Sequence, residues 1–422
     1  GGGGARGKAK KKVKELDWRY FFELIWPKLI AAQSQAKTLS ASAVFQEIHS
    51  FIKGSHLSLD KKDGRLSREE YLRLPAKMAP NFQGLSSKEK VEDLPGDRRG
   101  NRDLVYELFE MYEAEKRRLG AYDIADLVHN LWQRLAKQRE SYQGTPIHSM
   151  MVDETQDFVQ AELRLFLHVC TNKNDMFFSG DTCQTIASGV GFRFEDLKLL
   201  FRAEQEEEQR LAEETNAHID MPVVIPRVKS LMFNYRTHNG ILAAAAGIVD
   251  LMECFFPGSI DILPRERGFF DGPKPMLLTH TNVDDAAVLI VGSDQKRSQI
   301  EFGAHQCILV RSQEAKRLLP EDFGGCLAMT ILESKGLEFD DVFLWNFITD
   351  SRAEQEWRLV LGYLLQGDND DEAAALEQER GKAPREVAGM LRTLDFNEHQ
   401  HQLFCEELKH LYTAVTRARV RV

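Results

Sequence analysis

"MMVDETQDF", residues 150–158, sets three carboxylates and a glutamine directly behind an apolar run. A buried strand that ends in Asp153 and Glu154 carries a desolvation cost unless a cation compensates the charges. The neighbouring pattern gives the arrangement. "PIHSMMV" reads as a short buried strand, "FVQAELRLFLHVC" (158–170) has helical spacing, and "DMFFSGD" (175–181) reads as a second buried strand. Strand, helix, strand at this spacing predicts a βαβ unit with parallel strands. Asp153, Glu154 and Asp181 then fall at the carboxyl edge of one sheet, where open α/β sheets hold their ligands.

Upstream of this unit the pattern is helical. "NRDLVYELFEMYEAEKRRLG" and "YDIADLVHNLWQRLAKQ" repeat apolar positions at three and four, with Gly120 as a helix stop between them. "DWRYFFELIWPKLI" (17–30) predicts a docked helix interrupted at Pro27. Downstream, "EDLKLLFRAEQEEEQRLAEE" (195–214) predicts an acidic, solvated helix. After Pro226, "PMLLT", "AAVLIVG", "QCILV", "CLAMTIL" and "DVFLWNF" predict the strands of a second α/β domain. The predicted divisions are a basic, glycine-rich leader at 1–16, a helical insertion at 17–143, an α/β remainder at 144–222, and a second α/β domain at 223–422 with a polar insertion at about 350–400.

Composition narrows the class. The 422 residues are 43% hydrophobic, and the longest apolar run, "ILAAAAGIVDLM", is too short for a bilayer and carries Asp250. Six cysteines without a CxxC pair argue against a disulfide framework or a zinc ribbon, and predict a reducing compartment, nuclear or cytoplasmic. A formal net charge of −10 does not favour broad polyanion binding, but leaves room for a local basic groove.

Further blocks supply the missing cation. "SGDTCQTI" (179–186) places Asp181 and Gln184 at the second strand end, "FNYRTHNGIL" (233–242) offers Arg236, "TILESKGLEFDDVFLWN" (330–346) offers Gly336 and Glu338, and "EELKHLYTAVTRAR" (406–419) offers Arg417. In this order they resemble the UvrD/Rep-like branch of superfamily 1 helicases: "DETQD" its DExQD, "GDTCQTI" its GDxxQxI, "NYRTH" its NYRS, "SKGLEFD" its KGLEWD, and "LYTAVTRAR" its LYVAxTRA. "YDIADL" (122–127) resembles the DFxDL element of the same branch. "FELIWPK", "EIHSFIKGS" and "GDTCQTIASGVGFRFEDL" resemble the helicase-like region of the large tetratricopeptide and ankyrin repeat-containing proteins, so the chain is expected to be part of a longer one with protein partners of its own.

The resemblance implies two RecA-like domains with an α-helical insertion, hydrolysing ATP with Mg²⁺ between them. Asp153 would coordinate the metal and Glu154 would act as general base. Asp181 would belong to the ATP site, Gln184 would sense the γ-phosphate, Arg236 and Arg417 would act as arginine fingers, and Gly336 and Glu338 would hold the ribose. Single-stranded DNA or RNA would lie near Phe192, Arg193, Phe194 and Thr330, stacking on the aromatic rings; core packing of those rings is the alternative. One departure is serious. The family needs GxxxxGK[ST], and "GGGARGKA" (2–9) has Gly2, Gly7 and Lys8 but Ala9 where Ser or Thr should meet Mg²⁺. A P-loop is therefore expected upstream, and this chain alone is expected to bind ATP weakly or not at all. The rival reading is a nucleotide switch or scaffold that kept the fold.

Overall fold

The computed structural model describes residues 14–75, 79, 81–82, 101–137, 145–216, 218–219, 221–278, 305–323, 325–366, 394–398 and 401–422. The glycine-rich "GGGARGKA", the predicted strand "AAVLIVG" and most of the polar insertion lie outside them. The chain divides into two compact units, 1–179 with 188–225, and 180–187 with 226–422. This division joins the predicted helical insertion (17–143) and α/β remainder (144–222) in one unit, ends that unit at Ile225 rather than at 222, and gives the Gly180–Ala187 block to the second unit.

The first unit begins with helical segments. Trp18–Tyr20, Phe21–Ile25 and Trp26–Ala32 follow one another, with the π-type turn at Phe21–Ile25 just ahead of Pro27. Proline has no N–H to give the preceding turn, so the hydrogen-bond pattern shifts there. Helix α1 (Asn101–Leu119) ends at Gly120, whose φ of +61° is the left-handed conformation a helix stop needs. Helix α2 (Ile124–Lys137) follows. Phe21, Ile25, Phe45, Ile52, Tyr71, Phe109 and Tyr112 form one buried core. Arg102 is fully buried within it and donates to the carbonyls of Phe82, Leu74 and Ala79, so its charge is met by backbone oxygens.

A buried ionic network ties this core together. Lys53 Nζ donates to Asp123 Oδ2 at 2.6 Å, Asp126 Oδ1 at 2.7 Å and Glu113 Oε1 at 3.2 Å. Lys116 Nζ reaches Glu113 at 2.6 Å and Asp123 at 2.8 Å, and Tyr112 Oη donates to Asp123 at 3.0 Å. Burial alone would raise the Asp123 pKa, but the two ammonium groups outweigh it and hold the carboxyl well below its usual range. The Glu113–Asp123–Asp126 trio has the spacing of a metal site, yet both lysine ammoniums already sit on its oxygens. Removing one buried partner leaves uncompensated charge. Lys53→Met is therefore expected to lower the unfolding free energy by about 3–5 kcal/mol in urea titration, and Lys53→Met with Asp123→Asn to recover part of it. A loss of Lys53→Met below about 1 kcal/mol, the range of an exposed pair, would show that the network is not what holds this core.

The βαβ unit is present as expected. Strands β1 (Met150–Val152) and β2 (Met176–Phe178) pair in parallel, joined through helix α3 (Gln160–Val169), and helix α4 (Phe194–Thr215) follows. The strands are not buried on both faces, as their apolar sequence suggests. Val152 is buried and Phe178 packs edge-on against Phe201 of α4, whereas the register partners Met151 and Phe177 are 82% and 62% exposed. Side chains alternate across a strand, and α4 covers one face of this pair.

The second unit contains a short parallel pair, β3 (Phe233–Asn234) with β4 (Arg267–Gly268), and a four-stranded parallel sheet of β5 (Gln306–Val310), β6 (Ala328–Thr330), β7 (Phe339–Leu344) and β8 (Ala418–Arg421), in the order β6-β5-β7-β8. All five residues of β5 are buried, which accounts for the apolar run "CILV" of a central parallel strand, with Gln306 at its start donating to Asp341 Oδ2 at 2.8 Å. The longer helices described in the unit are α5 (Asn239–Phe255), α6 (Arg358–Gln366) and α7 (Gln402–Val415). Ile241, Ile248 and Met252 of α5 share a core with Phe404, Leu408 and Tyr412 of α7 and with Cys307 and Val342 of the sheet. Residues 275–278 of the predicted strand "PMLLT" are not a strand; the backbone N–H of Met276 bonds the carbonyl of Val422 instead, and position 279 lies outside the described residues. No described helix is long and apolar enough to cross a membrane.

Candidate nucleotide site

In the first unit, the DETQD loop leaves the carboxyl end of β1. Ser179 N bonds the Val152 carbonyl and Thr155 N bonds the Ser179 carbonyl, both at 2.9 Å, which extends the β1–β2 ladder into the loop. Asp153 Oδ1 accepts from Ser179 Oγ at 2.6 Å and from Glu154 N at 2.9 Å. Its side chain is exposed, so a carboxylate oxygen faces solvent where a hard cation can take it. That donor fits Mg²⁺, with Ser179 orienting the ligand. Glu154 has φ +52° and ψ +41°, a left-handed conformation costing a non-glycine residue roughly 1–2 kcal/mol. Such strain marks places where side-chain direction matters more than local stability. Gln156, fully buried, donates Nε2 to Glu154 Oε2 at 2.5 Å and fixes the carboxylate.

In the second unit, Asp181 caps the Thr182–Gln184 turn by accepting from Cys183 N at 2.9 Å. Cys183 and Ile186 join the second core, and Thr182 Oγ1 accepts the Asp261 N–H, so the turn is anchored on both sides. Gln184 Nε2 donates to Asp181 Oδ2 at 2.9 Å, and Arg417 Nη2 donates to Gln184 Oε1 at 2.7 Å. Arg417 is 2% exposed, with Nε on the Thr413 carbonyl at 3.1 Å and Nη1 on the Leu337 carbonyl at 3.2 Å. Two residues 233 positions apart thus form one hydrogen-bonded group. Lys335 Nζ adds a bond to the Gln184 carbonyl at 2.8 Å. Gly336 takes φ +78°, which turns the chain between β6 and β7. Glu338 pairs with Arg236 at 2.5 Å, both side chains about two-fifths exposed.

Of the residues expected near nucleic acid, Phe192 is 4% exposed and edge-on to Phe194 at 5.4 Å. Arg193 caps α4, its N–H donating to Asp196 Oδ2 at 3.0 Å. Thr330 is buried, and its Oγ1 accepts the Glu333 N–H. The Phe192 ring has no free face for a base; core packing, the alternative above, describes it.

Three residues escape the sequence reading. Ser179 meets Asp153 only because Val152 pairs with Phe178, a register the sequence does not print. Lys335 stands inside a recognised block, but its reach to Gln184 depends on the fold. Tyr235, one place before Arg236, is 83% exposed, its ring 4.6 Å from that of Phe269.

Residues 13–207 match the UvrD/REP helicase N-terminal domain, a family of RecA-like α/β fold. That stretch is similar to the N-terminal module of a helicase. Among named proteins, it is 40% identical over 408 residues to the human "TPR and ankyrin repeat-containing protein 1". The match takes in 96% of this chain and 13% of that much longer protein.

Proposed function

We propose that the chain is the nucleotide-hydrolysing core of a UvrD-like helicase or translocase, acting on ATP with Mg²⁺ and on single-stranded DNA or RNA. The Arg417–Gln184 bond is the observation that carries the reading. Phosphoryl transfer needs positioned donors on the transferring group rather than covalent chemistry, and a guanidinium joined to a carboxamide supplies them as one unit. Bound Mg²⁺ would neutralise charge on the phosphates. Asp153 would hold it, with Ser179 fixing that carboxylate. Glu154, aimed by Gln156, would take the proton of the attacking water. Arg236 would exchange Glu338 for a phosphate oxygen, leaving Glu338 for the ribose, and the exposed Tyr235 ring beside it offers a flat face to a base.

A second reading, a nucleotide switch or scaffold that retains the fold, is supported by the depth at which Arg417 is already committed to protein partners and by the repeats in the relative's name. ATPase measurement with and without single-stranded oligonucleotide, on this chain and on a longer one extended upstream by a GxxxxGK[ST] loop, separates them. Stimulated hydrolysis in the longer chain is expected. Nucleotide binding without hydrolysis there would favour the switch.

A further inference from the structure

The helical unit has a cavity of about 150 Å³ that the nucleotide chemistry does not use. Trp18, Phe45 and Tyr112 line it with rings, and Glu15, Asp17 and Asp123 bring carboxylates. Trp18 and Phe45 meet at 5.3 Å with their planes 55° apart, so they form a corner rather than a flat stack. The cations around the cavity do not balance the acids. Lys53 spends its ammonium on Asp123, Glu113 and Asp126, and the lining His49, stacked on Phe45 at 5.6 Å, is kept uncharged at neutral pH because burial lowers its pKa to about 4. Glu15 and Asp17 are exposed at the rim, and no ion pair reaches either among the described residues. A cavity of this size holds one small ring or compact group. Net negative charge disfavours an anion.

We infer that this cavity is an aromatic cage for a methylated ammonium group, a choline-like or trimethyl-lysine-like headgroup, with Trp18 and Phe45 facing the cation and Glu15 and Asp17 at its mouth; the Tyr112 ring, already under the Lys116 ammonium at 5.5 Å, backs the wall. A ring corner attracts a cation through its negative faces. The same site that keeps His49 unprotonated penalises strongly hydrated cations, and a quaternary ammonium sheds little water on entry. That difference selects the methylated group over a bare lysine ammonium.

Tetramethylammonium, choline and trimethyl-lysine titrated into the folded chain, followed by Trp fluorescence and by calorimetry, test the cage. Saturable binding is expected, with ammonium chloride at matched ionic strength giving none. Trp18→Ala should weaken binding by roughly ten- to thirtyfold, the loss of one desolvated cation–π contact. Glu15→Gln, at an exposed position that does not endanger folding, should weaken it by a few-fold and make it less salt-dependent. The uncharged isostere 3,3-dimethylbutanol separates charge from shape. If it binds as tightly as choline, or if Trp18→Ala binds choline unchanged while circular dichroism shows it folded, the cage assignment is overturned. No saturation by any of the three cations overturns it as well.

Discussion

Glu154→Gln is expected to abolish ATP turnover in a form of the chain extended upstream by a GxxxxGK[ST] loop, by about 10²- to 10⁴-fold in kcat, while leaving nucleotide affinity nearly unchanged. The substitution is unusually clean at this position. Glutamine keeps the length of the side chain and an oxygen for the Gln156 Nε2 donor, which now lies 2.5 Å from Glu154 Oε2. Both residues suffer the same steric cost at φ +52°, so the fold gains and loses nothing from the exchange. What disappears is the ability to accept a proton from water. Glu154→Gly serves as the companion variant. It relieves the left-handed strain as well as removing the carboxylate, so thermal stability should rise while turnover falls equally far. A kcat of Glu154→Gln within twofold of the parent, measured in single turnover so that product release does not mask the chemistry, would remove Glu154 as the base.

The candidate site residues and the fold around them are read from different signals in the sequence, for physical reasons. Asp153 stands out because it ends an apolar run, an expense a chain avoids elsewhere, whereas Gln184, Arg236, Glu338 and Arg417 stand out through motif blocks that resemble those of UvrD/Rep-like helicases. The βαβ unit is legible because a short apolar run ending in acids at 146–154 gives way to three-and-four spacing at 158–170. Pairings are another matter. That Ser179 holds Asp153, or that Gln184 meets Arg417, depends on strand register and on packing across more than 200 residues, neither of which local periodicity encodes. The assignment of Gly180–Ala187 to the second unit shows the same limit. The block follows β2 directly in the chain, yet Cys183 and Ile186 bury themselves beside Ile241 and Phe404, because burial there outweighs sequence proximity. Exposure is the least legible property: Met151 and Phe192 are both apolar neighbours of acidic motifs, and one is exposed while the other is buried.

Arg417→Ala should produce the largest change, and its interpretation needs two readouts. As an arginine finger it would account for about 10³- to 10⁵-fold in turnover. It is also a buried structural donor, holding the Thr413 and Leu337 carbonyls and Gln184 Oε1, so its removal strands three acceptors and is expected to cost about 3 kcal/mol of stability. A fall in activity alone therefore proves nothing. The informative comparison is with Gln184→Ala and the double variant. If guanidinium and carboxamide act on the transferring phosphate as one group, each single change disables the unit and the double change costs little more than either. Arg417→Lys refines the test: a lysine keeps the charge but cannot bond Gln184 and the Leu337 carbonyl together through a planar fork. Stability should recover in part while turnover stays low. Multiplicative losses in the double variant, or full turnover in Arg417→Lys, would mean that the bond seen between these residues holds the fold together and does no chemistry, which is the outcome the switch reading requires.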